Sequence, residues 1–217
     1  MPDILPVPEP DETLRPALDA LSRLDDDWAQ AFAQCGLPPV RKRPEGFAGL
    51  VHIIAAQQVS VHAARAIVQR LDQAAGTLSP DSVQALGEDG LRGVGLSRPK
   101  VRYVLALADD VISERIDFEA VMGLDDAAAV DHLVQAKGVG RWSAEIYLLF
   151  ALQRPDIWPA ADLAIQEALK RLKRLRKRPD EERTRRLAKP WRPYRSAAAR
   201  FLWHYYHHPG IPEEEGD

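Results

Sequence analysis

KGVGRWSAEIYLLFALQRPDIWPAAD, residues Lys137 to Asp162, joins a glycine turn to an apolar run and the run to a lone carboxylate. Gly138-Val139-Gly140 lets bare backbone N–H groups come close to an anion, and the segment after Ser143 predicts a helix whose N-terminus faces that same anion. Contacts of this kind position a nucleic acid without reading its sequence. Twenty residues past Trp142, Asp162 follows Pro159-Ala160-Ala161 and opens a second helical pattern, Leu163 to Leu169, which places its side chain at a helix start.

Upstream of the turn, Asp125-Asp126 with Ala127 to Gln135 predicts a helix, so the turn is enclosed by two helices. The small pair Ser143-Ala144 lets those helices approach closely. The segment fits a helix-hairpin-helix that holds phosphate, or an ordinary turn between two helices. Asp162 has two readings as well: a helix N-cap without chemistry, or a carboxylate that stabilises an oxocarbenium-like sugar during glycosidic cleavage. Trp142 and Trp203 are candidate aromatic walls for a flipped base, or core residues.

Further outward, apolar residues from Leu14 to Phe32 recur at helical spacing, with a new start near Asp25-Asp26-Asp27, and predict two helices. Pro38-Pro39 and Arg41-Lys42-Arg43-Pro44 form a linker. A helix over Leu50 to Ala56 follows, and Ser60 caps the next. Between them stands the amide pair Gln57-Gln58, suited either to base contact or to local backbone satisfaction. Ser79-Pro80-Asp81 starts a helix through Leu86; Ser97 caps and Pro99 opens one over Val101 to Val111. Phe118 to Met122 makes a short helix. After Asp162 a helix is expected to run into the basic stretch and stop near Pro179, and the segment from Trp191 forms the last one. No stretch alternates like a strand, so the fold class is all-α, with roughly nine to eleven short helices and short connections. Residues 50–152 are expected to form one helical lobe carrying the hairpin, and 13–49 with 153–208 a second lobe carrying Asp162. The Pro- and acid-rich ends, 1–12 and 209–217, are expected to be flexible tails.

The chain has 217 residues, 46% hydrophobic and 28% charged, which suits a globular protein large enough for one substantial core or two small lobes. No apolar run is long enough to span a membrane and no signal peptide is recognised. The single cysteine, Cys35, excludes an internal disulfide framework and a cysteine-ligated cluster or zinc finger. It reads as a small core residue in a reducing, cytoplasmic compartment. His204, His207 and His208 lack a neighbouring Cys or carboxylate to complete a metal site, so no metal is expected. The net charge of −3 is unevenly spread: 14 of the 29 basic residues lie between Lys170 and Arg200. Such a segment either follows a phosphate backbone or solvates a helix face.

Four segments in register, LVHIIAAQQVSVHAARAIVQRL, LRGVGLSRPKVRYVLALAD, LVQAKGVGRWSAEIYLLFAL and WPAADLAIQEAL, resemble the helix-hairpin-helix DNA glycosylase superfamily, and within it the DNA-3-methyladenine glycosylase II family. The similarity runs over about residues 45 to 205. It implies an all-α fold of two lobes with a DNA cleft between them, double-stranded DNA with a damaged base as partner, flipping of an alkylated purine, and hydrolysis of its N-glycosidic bond without a cofactor. A monomer is expected. By the same resemblance Asp162 matches the catalytic aspartate, Gly138 and Gly140 the glycines that hold the DNA backbone, and Trp142 and Trp203 the base-pocket aromatics. Gln58 falls where a side chain fills the gap left by the flipped nucleotide, and Ser143 joins the DNA-binding group. Where strand-cutting relatives carry a lysine nucleophile this chain has Trp142, which implies a hydrolase without lyase activity. Better-known bacterial members also carry an N-terminal β-rich domain for which this chain is too short, and Ile146 stands where some members have an aromatic. Two other functions are compatible with the motifs: a glycosylase for another lesion such as hypoxanthine, ethenoadenine or uracil, and a non-catalytic hairpin protein that only binds DNA.

Overall fold

A computed structural model of the chain describes residues 9–209, so the expected tail segments 1–8 and 210–217 lie outside the described residues. The fold is all-helical: among the described residues the β-type pairing is an isolated bridge between Pro10 and Pro39. Two compact units form, one from the residues up to Lys42 with those from Arg154 onward, the other from Arg43–Gln153.

The split unit begins with a 3-10 turn at Glu12–Leu14, then α1, Arg15–Leu24, and α2, Asp26–Cys35. The Asp25 carboxylate accepts the Asp27 N–H and starts α2, as an N-cap acid does. Leu18 and Leu21 of α1 and Trp28 and Ala31 of α2 are buried, each pair at the three-residue spacing that builds one apolar stripe.

The contiguous unit holds α3, Gly46–Ala56; α4, Val61–Ala75; α5, Pro80–Gly93, bent at Gly87; α6, Arg98–Ile112; α7, Phe118–Gly123; α8, Asp126–Leu133; and α9, Arg141–Phe150. Side chains end these helices cleanly, with Ser60 capping α4 and Ser79 and Ser82 forming a capping box on α5. Ser97 occupies the N-cap of α6, but its hydroxyl makes no capping bond, so the expected cap there is positional only. From Ser143 to Phe150 every residue of α9 is buried, which makes it the central helix of this unit. Each of its large apolar side chains stabilises the unit by about 1.5–3 kcal/mol through burial.

The split unit closes with α10, Leu163–Leu172; α11, Glu181–Leu187; a 3-10 turn at Lys189–Trp191; and α12, Arg195–Tyr206. Trp28, Trp158, Trp191 and Phe201 form its aromatic core, with Trp191 set edge-on to Trp28 at 5.0 Å and to Trp158 at 5.5 Å.

Several expectations are corrected here. Twelve α-helices are present among the described residues, more than expected, because short caps divide the chain more finely than periodicity suggests. The helix after Asp162 ends at Leu172, well before Pro179. Arg174 turns left-handed at φ 48° and the Leu175 N–H returns to Lys170 O at 2.9 Å, while Lys173 and Arg174 reach Asp25 and Asp27 at the start of α2. Residues 43–49, expected in the split unit, belong to the contiguous one: the Arg43 N–H donates to Phe150 O at 3.1 Å and the Gly46 N–H to Tyr147 Oη at 2.8 Å. Residues 9–12 are not a loose tail, since Asp11 is 4% exposed and accepts from Arg200 of α12. Cys35 is only half-buried. Among the described residues no helix is long and apolar enough to cross a membrane.

Candidate nucleic-acid interface and carboxylate site

The hairpin between α8 and α9 is anchored by Val139, which is buried and donates its N–H to Ala136 O at 3.1 Å. Its two glycines have different reasons to be there. Gly138 lies at φ 85°, and a Cβ on it would stand 2.3 Å from Cγ of Tyr103, so no other residue fits without moving an aromatic ring. Gly140 has φ −85° and open space where its Cβ would be. It is the N-cap of α9 and carries no capping side chain, so the first turn of α9 presents N–H groups outward, where helix geometry provides no internal acceptor.

Ser143 is 3% exposed and its hydroxyl accepts from Gln57 Nε2 at 3.0 Å. Its hydroxyl is thus committed inside the protein. The same Gln57 amide donates to Gly138 O at 3.0 Å, so Gln57, just past the end of α3, is bonded both to the connecting turn and to the first turn of α9. Its neighbour Gln58 is exposed and sits at φ 53°. Lys100 of α6 donates from Nζ to Ala55 O at 2.8 Å, and burial lowers its pKa below the usual lysine value. A cavity of about 630 Å³ lies among Gln57, Gln58, Ser97, Lys100, Tyr103 and the hairpin. The sequence singles out Gln57 as half of an amide pair, suited to base contact or to local backbone satisfaction, and carries no signal for Tyr103 or Lys100. Trp142, the second residue of α9, is partly buried, and Ile146 one turn on is 4% exposed.

The carboxylate site belongs to the split unit and is built by α10, α12 and the connection at 154–162. Asp162 is the N-cap of α10, with Oδ1 accepting the Ile165 N–H at 3.0 Å. The same oxygen accepts Nε1–H of Trp203 at 3.0 Å. Two N–H donors on one oxygen restrain the orientation of the carboxyl. Ahead of Asp162 the chain is tied down: the Asp162 N–H donates to Pro159 O at 3.0 Å, and the buried Gln166 amide to Ala160 O at 2.9 Å. At the other end of the connection, Arg195 of α12 forks onto Asp156, and the Ser196 hydroxyl donates to Arg154 O and accepts the Ile157 N–H. Ser196 and Trp203 are seven residues apart, about two turns on one helix face. A single helix thus holds both ends of the segment that carries Asp162.

The structure joins Asp162 to Trp203, and Gly138 to Ser143 through Gln57; Trp142 lies in the contiguous unit with the hairpin. Much of the basic segment is committed internally. Lys173 and Arg174 pair with Asp25 and Asp27, Arg185 and Arg186 with Glu181 and Glu182, and Arg195 with Asp156. Arg176, Lys177 and Arg178, between α10 and α11, are exposed. His204 Nε2 donates to Cys35 O at 2.9 Å, and no group of three His, Cys, Asp or Glu among the described residues could hold a metal ion.

Comparison with known proteins gives a consistent result. The family described as HhH-GPD superfamily base excision DNA repair protein matches residues 51–193. DNA-3-methyladenine glycosylase 1 of Schizosaccharomyces pombe is 31% identical over 190 residues, covering 84% of this chain and 83% of that protein. An alkylbase DNA glycosidase-like protein of the same yeast is 26% identical over 84% of this chain and 89% of its own length. Among solved structures, the 3-methyladenine DNA glycosylase of that yeast in complex with abasic DNA superposes with a TM-score of 0.80 at 31% identity, covering 87% of this chain and 95% of that one. The DNA-3-methyladenine glycosidase from Bacillus halodurans gives 0.76 at 28% identity, with 89% and 90% covered.

Proposed function

The chain belongs to the HhH-GPD superfamily of base excision DNA repair proteins, and from that premise we propose that it is a DNA glycosylase that hydrolyses the N-glycosidic bond of alkylated purines, 3-methyladenine and 7-methylguanine, in duplex DNA. The names of its relatives support this substrate class. The observation that carries the reading is the Asp162 carboxyl, held at the start of α10 by Ile165 N–H and Trp203 Nε1–H on Oδ1.

Alkylation at a ring nitrogen makes the purine cationic, so it leaves as a neutral base without a strong general acid. The C1′–N bond breaks with its electron pair departing on the base, and positive charge develops at C1′ and the ring oxygen. Asp162 stabilises that charge through proximity in a site of low dielectric. Water adds through its oxygen to C1′, and its proton passes to Asp162 or to solvent. The hairpin N–H groups at Gly140 and the start of α9 hold a backbone phosphate; Gln58 fills the space of the flipped nucleotide, and Trp203, bonded to Asp162, offers its ring to the base. With Trp142 directly before Ser143-Ala144, no amine stands where a Schiff-base lysine would, so the product is an abasic site with an intact strand.

The test is base release from methylated duplex DNA by wild type and by Asp162→Asn. Asparagine keeps the cap on α10, so folding is expected within about 0.5 kcal/mol of wild type, while release falls by at least about 100-fold. Full activity of the variant with normal DNA binding would sink the catalytic assignment. Wild type that binds DNA with the usual salt dependence yet releases no base from a panel of lesions would leave a binding protein instead.

A further inference from the structure

The turn that carries Gln58 is held from two sides. On one side, Lys100 Nζ donates to Ala55 O at 2.8 Å, placing a cation on the C-terminal carbonyls of α3, where helix geometry leaves acceptors unsatisfied. On the other, the Gln57 amide donates to Gly138 O and Ser143 Oγ, both at 3.0 Å. Directly after those two attachments, at Ala55 and Gln57, Gln58 adopts φ 53°, a left-handed conformation that a non-glycine residue keeps only when its surroundings over-determine it. The atoms that receive Gln57 belong to the hairpin itself: Gly138 is pressed against Tyr103, and Ser143 lies in the first turn of α9, behind the N–H groups that face outward. Gln57 spends both amide hydrogens on these two oxygens. It is therefore not available as a probe of the DNA, although it stands next to one.

We propose that Gln57 and Lys100 are positioning residues that lock the Gln58 turn onto the hairpin, so that capture of a backbone phosphate and insertion of Gln58 into the duplex occur as one coupled event. The proposal rests on the reading of Gln58 as the gap-filling side chain. Without the lock, the hairpin still binds backbone, but Gln58 relaxes from its left-handed conformation and no longer arrives in register with the nucleotide to be displaced. Misplacement of about an ångström in such a device costs roughly tenfold to a hundredfold in rate.

The decisive experiment separates binding from insertion. Wild type, Gln57→Met, Lys100→Met, Gln58→Ala and the double variant Gln57→Met/Gln58→Ala are titrated against duplexes carrying a tetrahydrofuran abasic analogue beside 2-aminopurine. Fluorescence reports unstacking, and anisotropy reports binding. Gln57→Met removes the amide while conserving length and volume, and circular dichroism with thermal melting verifies the fold of each variant. Wild type is expected to couple saturation of binding to a full fluorescence change. Gln57→Met and Lys100→Met are expected to bind within about threefold of wild type, yet to lose most of that change and about tenfold or more of single-turnover base release. In the Gln58→Ala background the further loss from Gln57→Met falls below about twofold, because both substitutions disable one device. A folded Gln57→Met protein with wild-type fluorescence change would overturn the proposal, as would independent, multiplicative losses in the double variant. Failure of wild type to release base while the fluorescence coupling persists would overturn the glycosylase reading and leave the lock standing.

Discussion

At the scale of single residues, the hairpin glycines separate folding from binding. Gly138→Ala must both adopt φ 85° and displace the Tyr103 ring. A cost of about 2–5 kcal/mol is expected, combining left-handed strain with overpacking, and urea unfolding measures it. Gly140→Ala meets nothing within 4 Å at an ordinary φ, so its stability stays within about 0.5 kcal/mol of wild type. The added methyl group stands on the face offered to phosphate, and the expected loss is in DNA affinity, read by anisotropy. The motif GVG was legible in the sequence, but the distinct duties of its two glycines were not. Tyr103 is thirty-five residues upstream of Gly138, and no local pattern announces that they meet. Ser143 illustrates the same limit: its small size was readable as permitting close helices, whereas its burial and its bond to Gln57 come from a residue eighty-six positions away.

At the scale of elements, α3 and α9 are coupled by the bond from Gly46 N–H to Tyr147 Oη. Burial pushes the Tyr147 hydroxyl up to about 12 from its ordinary 10.0, against the smaller opposing effect of the Gly46 N–H. The folded state thus holds the phenol proton more tightly than the unfolded chain does. Tyr147 therefore contributes stability that is fully present below pH 10 and is lost as pH climbs from 10 toward 12. Thermal melts across that window are expected to show the fall, and Tyr147→Phe to reduce its slope while lowering stability at neutral pH by about 1–3 kcal/mol through the unpaired Gly46 N–H. Helix existence was well read from caps and spacing, as Asp25, Ser60, Ser79 and Asp162 illustrate. The end of α10 was not, since its periodicity continues past Leu172 and what stops it is the pull of Asp25 and Asp27 on Lys173 and Arg174.

At the scale of the whole chain, the pair Asp11–Arg200 ties the first described segment to the last helix within the split unit. Burial raises the Asp11 pKa, but the Thr13 hydroxyl and the Arg200 guanidinium outweigh it and hold the carboxyl below its usual 3.8. The folded state therefore gains from the ionised form. That stability is present above pH 3.8 and disappears as pH falls through the depressed folded value. Asp11→Ala leaves the buried Arg200 without its counter-charge and is expected to cost about 3–5 kcal/mol at pH 7. In urea titrations the gap between variant and wild type should narrow as pH falls below 3.8 and wild type loses the same charge; an unchanged gap would assign the loss to packing.

The sequence alone determined the all-helical class, the hairpin, the family and the identity of the candidate carboxylate. These follow from local chemistry: glycines, caps and 3.6-residue periodicity act within a few positions, and motifs in register identify a lineage. The tertiary structure decided which residues support those motifs: Trp203 on Asp162, Gln57 across Gly138 and Ser143, Lys100 on the end of α3, Arg200 on Asp11. Each is a polar contact between residues far apart in the chain. Such bonds form because burial demands a partner for every donor and acceptor, and the partner is whichever group packing brings within reach.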